Sequence, residues 1–230
     1  MWSDPSSWRV LVTGGSSGLG AATCDALSDA GARVVSLDRQ PSSTVETIDV
    51  DLADTRLAEE ATATAIERLG ALDAVICCAG VDAPGPFAAT ARETWERILA
   101  VNLLGMAAVT RAAMPSLVDQ RGRIVTVAST LGHRVFGDAT AYCASKFGVV
   151  GFTRALAAEC RDVVGITLLT PGGMHTPFFD GRSEQYRPPP DARLADPADI
   201  AAAVLWVLAR PAGIEVKELV IAAPSEPSWP

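Results

Sequence analysis

Residues 9–13 (RVLVT), 33–37 (RVVSL), 45–50 (VETIDV), 73–78 (DAVICC), 122–128 (GRIVTVA), 165–170 (GITLLT) and 218–222 (ELVIA) are short runs, mostly apolar and rich in β-branched residues. Strands covered on both faces look like this, because neither face meets water. Between the runs, apolar residues recur at helical spacing over 18–31, 55–70, 91–120, 141–162 and 196–210. Gly31 ends the first of these segments as a C-terminal glycine does. The alternation predicts an α/β fold: a doubly wound sheet of about seven parallel strands, helices on both faces, in three α/β/α layers.

Residues 1–230 read as one domain, without internal repeat or linker. Two segments depart from the alternation. Residues 171–197 are rich in proline and glycine and too long for an ordinary connection; they read as a substrate loop or lid, or as a surface excursion. The tail 223–230 cannot be helical, and its Trp229 docks on this subunit or another, or the tail is disordered.

Hydrophobic residues make up 49% of the chain and charged ones 20%, the balance of a globular protein. The net charge of −8 argues against nucleic acid or an anionic membrane surface as partner. It leaves open an anionic cofactor, because backbone N–H groups at a helix end bind phosphate locally. The five cysteines (24, 77, 78, 143, 160) are odd in number and irregular in spacing, and there are two histidines, so no metal site is expected. Cys77 and Cys78 read as buried free thiols, which points to a reducing, cytoplasmic compartment. The N-terminus lacks the features of a signal peptide, and no run of 18 apolar residues predicts a membrane span.

The segment VLVTGGSSGLGAA (10–22) sets Gly14, Gly15, Gly18 and Gly20 between the first strand and the first helix. Glycines there permit a tight turn and close backbone approach to a pyrophosphate. Ser16 and Ser17 add hydroxyl donors, and the helix beginning near Gly18 and Leu19 directs its N–H groups at the anion. This strand–turn–helix context is what the dinucleotide motif requires. Asp38 follows Gly20 by 18 residues, close to the spacing of the carboxylate that binds the adenosine ribose diol. A carboxylate there repels a 2′-phosphate and favours NAD, whereas the adjacent Arg39 can pair with that phosphate and favour NADP.

In AYCASKFGVVGF (141–152), Tyr142 and Lys146 are four residues apart with slim residues between them. Four residues advance about 400° along a helix, so both lie on one face. Unperturbed tyrosine has a pKa of about 10, and a neighbouring cation lowers it toward that of a useful acid/base. The spacing alone also describes an ordinary amphipathic helix with a snorkelling lysine.

In order along the chain, TGGSSGLG (13–20), DLAD (51–54), VNLLG around Asn102, VTVAS ending at Ser129, YCASK with Tyr142 and Lys146, and PGGMHTP (171–177) resemble the motifs of the short-chain dehydrogenase/reductase family. The glycine motif matches the TGxxxGxG branch and differs from the TGxxGxxG of the extended, epimerase-like branch. The resemblance spans nearly the whole chain and implies a Rossmann-type fold and an NAD(P)-dependent oxidoreductase that interconverts a secondary alcohol and a ketone. It implies Tyr142 as acid/base, Lys146 as its tuner and ribose ligand, Ser129 as donor to the substrate oxygen, and Asn102 as holder of a relay water. Asp51 and Leu52 would border the adenine, and Ala79 and Gly80 the ribose. Thr176 would bind the nicotinamide carboxamide, and backbone near Pro171 and Gly172 would set B-face transfer. NAD is the expected cofactor, NADP the less favoured one. A non-catalytic dinucleotide-binding sensor or scaffold, or a dehydratase- or epimerase-type reaction on the same fold, are the competing readings.

The family's usual NNAG reads CCAG here (77–80), and the glycine-rich ending after the last strand is missing. Lost asparagine hydrogen bonds put local stability in question more than chemistry. Leu131, His133, Phe136, Met174, Phe178 and Phe179 are candidate pocket residues, with Tyr186, Asp82, Asp180, Arg182 and Arg187 nearby; His175 joins His133 as a pocket or packing residue. The set suits a medium-sized, partly hydrophobic carbonyl or alcohol. The resemblance also implies a homodimer or homotetramer through the helices around 102–114 and 142–159.

Overall fold

The computed structural model describes residues 4–229. The strands are β1 (Arg9–Thr13), β2 (Arg33–Asp38), β3 (Glu46–Asp49), β4 (Ala74–Cys77), β5 (Arg123–Val127), β6 (Gly165–Pro171) and β7 (Glu218–Ile221). They form one sheet in the order β3-β2-β1-β4-β5-β6-β7. Every pairing is parallel. This is the doubly wound, Rossmann-type α/β fold that the alternation of runs predicts.

The helices are α1 (Gly18–Asp29), α2 (Thr55–Leu69), α3 (Arg92–Leu99), α4 (Met106–Gln120), α5 (Thr140–Glu159) and α6 (Pro197–Leu208). Local chemistry sets their ends. Asp54 caps α2 by accepting from the backbone N–H groups of Arg56 and Leu57, and Gly70 closes it in the left-handed region. Asp196 caps α6 with Pro197 in its first turn.

One core lies on each side of the sheet. Leu11, Leu37, Val75, Ile124 and Leu168 face α2, α4 and α5 on one side. Val10, Val12, Ile76, Val125 and Leu169 face α1 and α6 on the other. Sequence-adjacent residues thus go to opposite cores, which is why the strands read as continuous apolar runs.

The predicted 91–120 helix is continuous but not uniform. Ala100–Gly105, between α3 and α4, is a π-helical turn. The run Arg92–Gln120 is long and apolar enough to cross a membrane by length and composition, yet half of its most apolar stretch is buried within the fold, as in a core helix.

At the start of α1 the chain passes itself closely. A Cβ on Gly20 would lie 2.0 Å from the Gly14 carbonyl oxygen, and Gly14 has φ +75 with the Ala79 backbone beside it. Gly20→Ala therefore forces α1 away from β1 and is expected to cost about 1–3 kcal/mol, read as a lower urea midpoint at unchanged m-value.

Candidate active site

The carboxyl ends of β1, β2, β4, β5 and β6 open onto a cleft of about 1130 Å³. Gly14, Ser16, Ser17, Gly18 and Leu19 line one end of it, with Asp38 and Arg39, Asp51 and Leu52, and Ala79 and Gly80. Pro171, Gly172 and Thr176 line it further along. The arrangement fits a dinucleotide. Ser17 precedes α1 without a side-chain capping bond, leaving first-turn N–H groups for an anion. The absence of a Cβ at Gly14 and Gly20 lets the glycine turn pack directly on the Ala79 backbone and on itself at the cleft edge. Thr176 lies against Gly18, whose added Cβ would meet the threonine at 3.3 Å, so the glycine turn and the loop after β6 close on the same space.

Asp38 is engaged without ligand: its carboxylate accepts from Ser16 N–H at 3.0 Å and Ser16 Oγ at 2.7 Å, and from Gln40 N–H at 3.1 Å. Asp51 pairs with Arg97 at 3.0 Å. Burial pushes the Asp51 carboxyl upward, but the Ala53 N–H and the Arg97 guanidinium outweigh it and hold the group below the usual range.

CCAG keeps a continuous backbone past this site. The Ala79 N–H donates to Thr13 Oγ1 at 3.1 Å, a bond that ties the exit of β4 to β1 without an asparagine. Burial pushes the Cys77 thiol up to about 12 and Cys78 higher still, so neither is a thiolate at neutral pH. All five cysteines are free, and among the described residues no cluster suits a metal.

Ser129 follows β5 and Tyr142 and Lys146 project from α5, all three lining the cleft. Burial pushes the Tyr142 hydroxyl well above its ordinary value, and a hydrogen bond with Ser129 is the main opposing influence. Lys146 Nζ lies 5.7 Å from the Tyr142 ring centre and donates to the Val127 carbonyl at 2.9 Å. Burial brings its pKa down to about 8. Burial thus dominates both groups, and Lys146 is not among the main influences on the Tyr142 proton. Asn102 does not line the cleft. It sits in the π-helical turn, accepts from Val81 N–H at 2.8 Å, and donates to the Val81 carbonyl at 2.9 Å and Ser145 Oγ at 3.0 Å.

Residues 9–187 match the family model for short chain dehydrogenase. The chain belongs to the short-chain dehydrogenase/reductase family. It is 30% identical to L-fucose dehydrogenase of Mus musculus over 94% of this chain and 88% of that protein. It is 31% identical to glycine betaine reductase of Emericella nidulans over 97% of this chain, which spans 19% of that protein's length. Among solved structures it resembles ligand-free aldohexose dehydrogenase of Thermoplasma acidophilum, with TM-score 0.85, 22% identity, and 95% and 94% of the two chains covered. This short-chain dehydrogenase is therefore an NAD(P)-dependent oxidoreductase acting on CH–OH groups.

In this short-chain dehydrogenase the 171–197 segment covers the cleft. It forms turns at Pro177–Phe179 and Glu184–Tyr186 and is tied down by an Arg182–Asp82 ion pair at 3.0 Å and a Tyr186–Asp138 hydrogen bond at 2.9 Å. Leu131, Phe136, Met174, Phe178 and Phe179 line the cleft.

His133 does not line it; of the two roles read for it from the sequence, pocket or packing, packing is the one observed. Its Nε2 lies 3.2 Å from Thr170 Oγ1 and its ring meets Trp229 edge-on at 5.3 Å. The tail draws it away, for Ser228 is buried and donates to Thr130 Oγ1 at 2.6 Å, and Glu226 accepts from Gly173 N–H at 2.8 Å. Of the alternatives for the tail, docking on its own subunit is the one observed. Neither the tail's contacts nor the Val127 partner of Lys146 has a sequence signal.

Lys146 carries a test of its burial. Its pKa falls from 10.5 unfolded to about 8 folded. Between those values the unfolded chain binds more protons, so this lysine's contribution to stability rises with pH. Urea midpoints of the cofactor-free enzyme relative to Lys146→Met are expected to climb between pH 8 and 10; a flat difference means the ammonium is solvated.

Proposed function

We propose that this enzyme interconverts a secondary alcohol and a ketone, with NAD as the preferred cofactor. The observation that supports it best is the convergence of the Tyr142 and Ser129 hydroxyls in an apolar cleft with the Lys146 ammonium behind them. A nicotinamide, when bound, would supply the hydride acceptor for oxidation of the carbinol carbon and the hydride donor for the reverse reduction. Tyr142 moves the proton at the substrate oxygen, accepting it as the carbonyl forms and donating it in the reverse direction. Ser129 donates a hydrogen bond to that oxygen as charge develops on it. Lys146, which donates to the Val127 carbonyl, would hold a ribose hydroxyl of the bound cofactor and stabilise the phenolate. Both Asn102 amide protons are committed to Val81 and Ser145. Its role in a relay is therefore as acceptor: Oδ1 and Lys146 Nζ both face Gly80, each 3.6 Å from where its Cβ would be, and a water between them would link lysine to solvent.

The preference for NAD rests on Asp38. The carboxylate that holds Ser16 is free to exchange that bond for the ribose hydroxyls, and it repels a 2′-phosphate. Arg39 on the cleft wall supports the opposite preference by pairing with that phosphate. Titration by nicotinamide fluorescence is expected to give tighter binding of NADH than of NADPH; the reverse order makes Arg39 the selector. Tyr142→Phe is expected to keep NADH affinity and lose about 10²–10⁴-fold in turnover. Retained turnover would remove the acid/base role, and binding of neither cofactor would remove the dehydrogenase reading.

The outer faces of the Ala100–Gly105 turn and of α5 support a homodimer or homotetramer. Leu104 is 53% exposed and Phe147 44%, beside exposed Ala144, Gly151 and Ala155. Small residues around large apolar ones let helices approach closely. Light scattering is expected to give a multiple of the chain mass, falling to one chain in Leu104→Glu/Phe147→Glu; a monomeric wild type would count against it.

A further inference from the structure

Besides Ser129, Tyr142 and Lys146, the cleft wall holds a buried ion pair. Arg182 Nη2 donates to Asp82 Oδ2 at 3.0 Å, with the side chains 12% and 7% exposed. Asp82 follows β4, and Arg182 comes from the segment over the cleft, 100 residues further on. The other Asp82 oxygen accepts from Ala83 N–H at 2.8 Å. The guanidinium carbon lies 4.7 and 4.8 Å from the ring centres of Phe178 and Phe179, and the Phe178 ring lies 5.6 Å from that of Tyr142. Arg182 Nε–H is buried, and among the described residues it meets no acceptor. After burial and the Ser129 bond, Asp82 and Arg182 are the next influences on the Tyr142 proton, in opposite directions. The pair therefore lines the same cleft as Tyr142, with the Phe178 ring against both Arg182 and Tyr142.

We propose that Asp82 and Arg182 together read a second, uncharged oxygen of the substrate, which makes the substrate a diol or hydroxyketone with that oxygen one or two carbons from the reacting carbon. The inference rests on the alcohol–ketone reading above and narrows its substrate class.

Three observations support it. An ionised carboxylate has about four acceptor positions, and the two hydrogen bonds to Asp82 leave others open. The buried Arg182 Nε–H lacks the acceptor that a buried donor normally has. A hydroxyl is the small group that donates to the carboxylate and accepts from the guanidinium at once. A substrate carboxylate fits this pair poorly, because Asp82 already neutralises Arg182 and would repel a second anion. The Phe178, Phe179 and Tyr142 rings provide the apolar surface for the C–H face of a small ring. Since the Nε–H is shielded from solvent, the Phe178–Arg182 turn has to yield slightly as the substrate enters.

The test compares kcat/KM for trans-cyclohexane-1,2-diol, cyclohexane-1,3-diol, cyclohexanol and trans-2-hydroxycyclohexanecarboxylate, with NAD and NADP. The full-length wild type is set beside Asp82→Asn and the double variant Asp82→Leu/Arg182→Met, which leaves no buried charge unpaired. At least one diol is expected to exceed cyclohexanol about 30-fold or more, since a site built for a hydroxyl rejects analogues that lack it. That ratio is expected to fall at least about tenfold in both variants, mainly through KM. If neither variant folds, the wild-type ratio decides alone. Equal use of cyclohexanol, preference for the carboxylate, or loss of every alcohol in equal proportion in the variants overturns the diol-reading pair and leaves the alcohol dehydrogenase standing. No turnover of any alcohol with either cofactor overturns both.

Discussion

The geometry of the site depends on the Asn102 carboxamide. Within the π-helical turn it closes a pair of hydrogen bonds with the Val81 backbone and reaches Ser145 on α5. Three elements meet there: the helix crossing one face of the sheet, the chain leaving β4, and the helix with Tyr142 and Lys146. Ser145 lies between Tyr142 and Lys146 on α5, so a bond to its hydroxyl fixes the rotation and depth of that helix. With α5 set, Lys146 reaches the Val127 carbonyl at the end of β5, two residues before Ser129. A side chain unable to pair with Val81 would leave a backbone donor and acceptor without partners in a mostly buried place, at about 1–3 kcal/mol each. One residue type meets all these demands, since only an amide presents a donor and an acceptor side by side.

The same clamp explains why the cleft lies where it does. In a parallel sheet covered on both faces, the open surface is at the strand ends. The order β3-β2-β1-β4-β5-β6-β7 reverses direction between β1 and β4. At that reversal the two outgoing connections diverge and leave a crevice at the carboxyl edge. The glycine turn leaves β1 on one side of it and the CCAG segment leaves β4 on the other. The residues lining the cleft therefore come from five strand ends, although they span most of the sequence.

Local features were legible in the sequence and long-range ones were not. The strands could be read because two-sided burial leaves an apolar run. The glycine turn and the Tyr142–Lys146 face could be read because each lies within one element. The π-helical turn was not legible: it adds one residue per turn, and the apolar pattern of 91–120 continues through it. The turning of His133 toward Trp229 was hidden for another reason. It depends on a tail almost 100 residues later, whose Ser228 and Glu226 find partners only once β6 and β7 are paired. Asp82 and Arg182 could be seen as near the pocket, but their pairing depends on how the 171–197 segment folds back over the cleft.

The resting electrostatics connect substrate choice with chemistry. Burial raises the Tyr142 pKa and lowers that of Lys146 to about 8, so it works against the charged form of both, leaving tyrosine neutral and lysine mostly the ammonium at neutral pH. A carboxylate near a buried tyrosine opposes its ionisation, and Asp82 stands in that position with Arg182 as its counter-charge. A substrate hydroxyl that donates to Asp82 would disperse that negative charge and weaken its hold on the Tyr142 proton. A substrate without the second oxygen would leave the full charge in place. Recognition by this pair would thus act on the proton transfer as well as on affinity, because the group that reads the substrate and the group that opposes the phenolate are the same carboxylate.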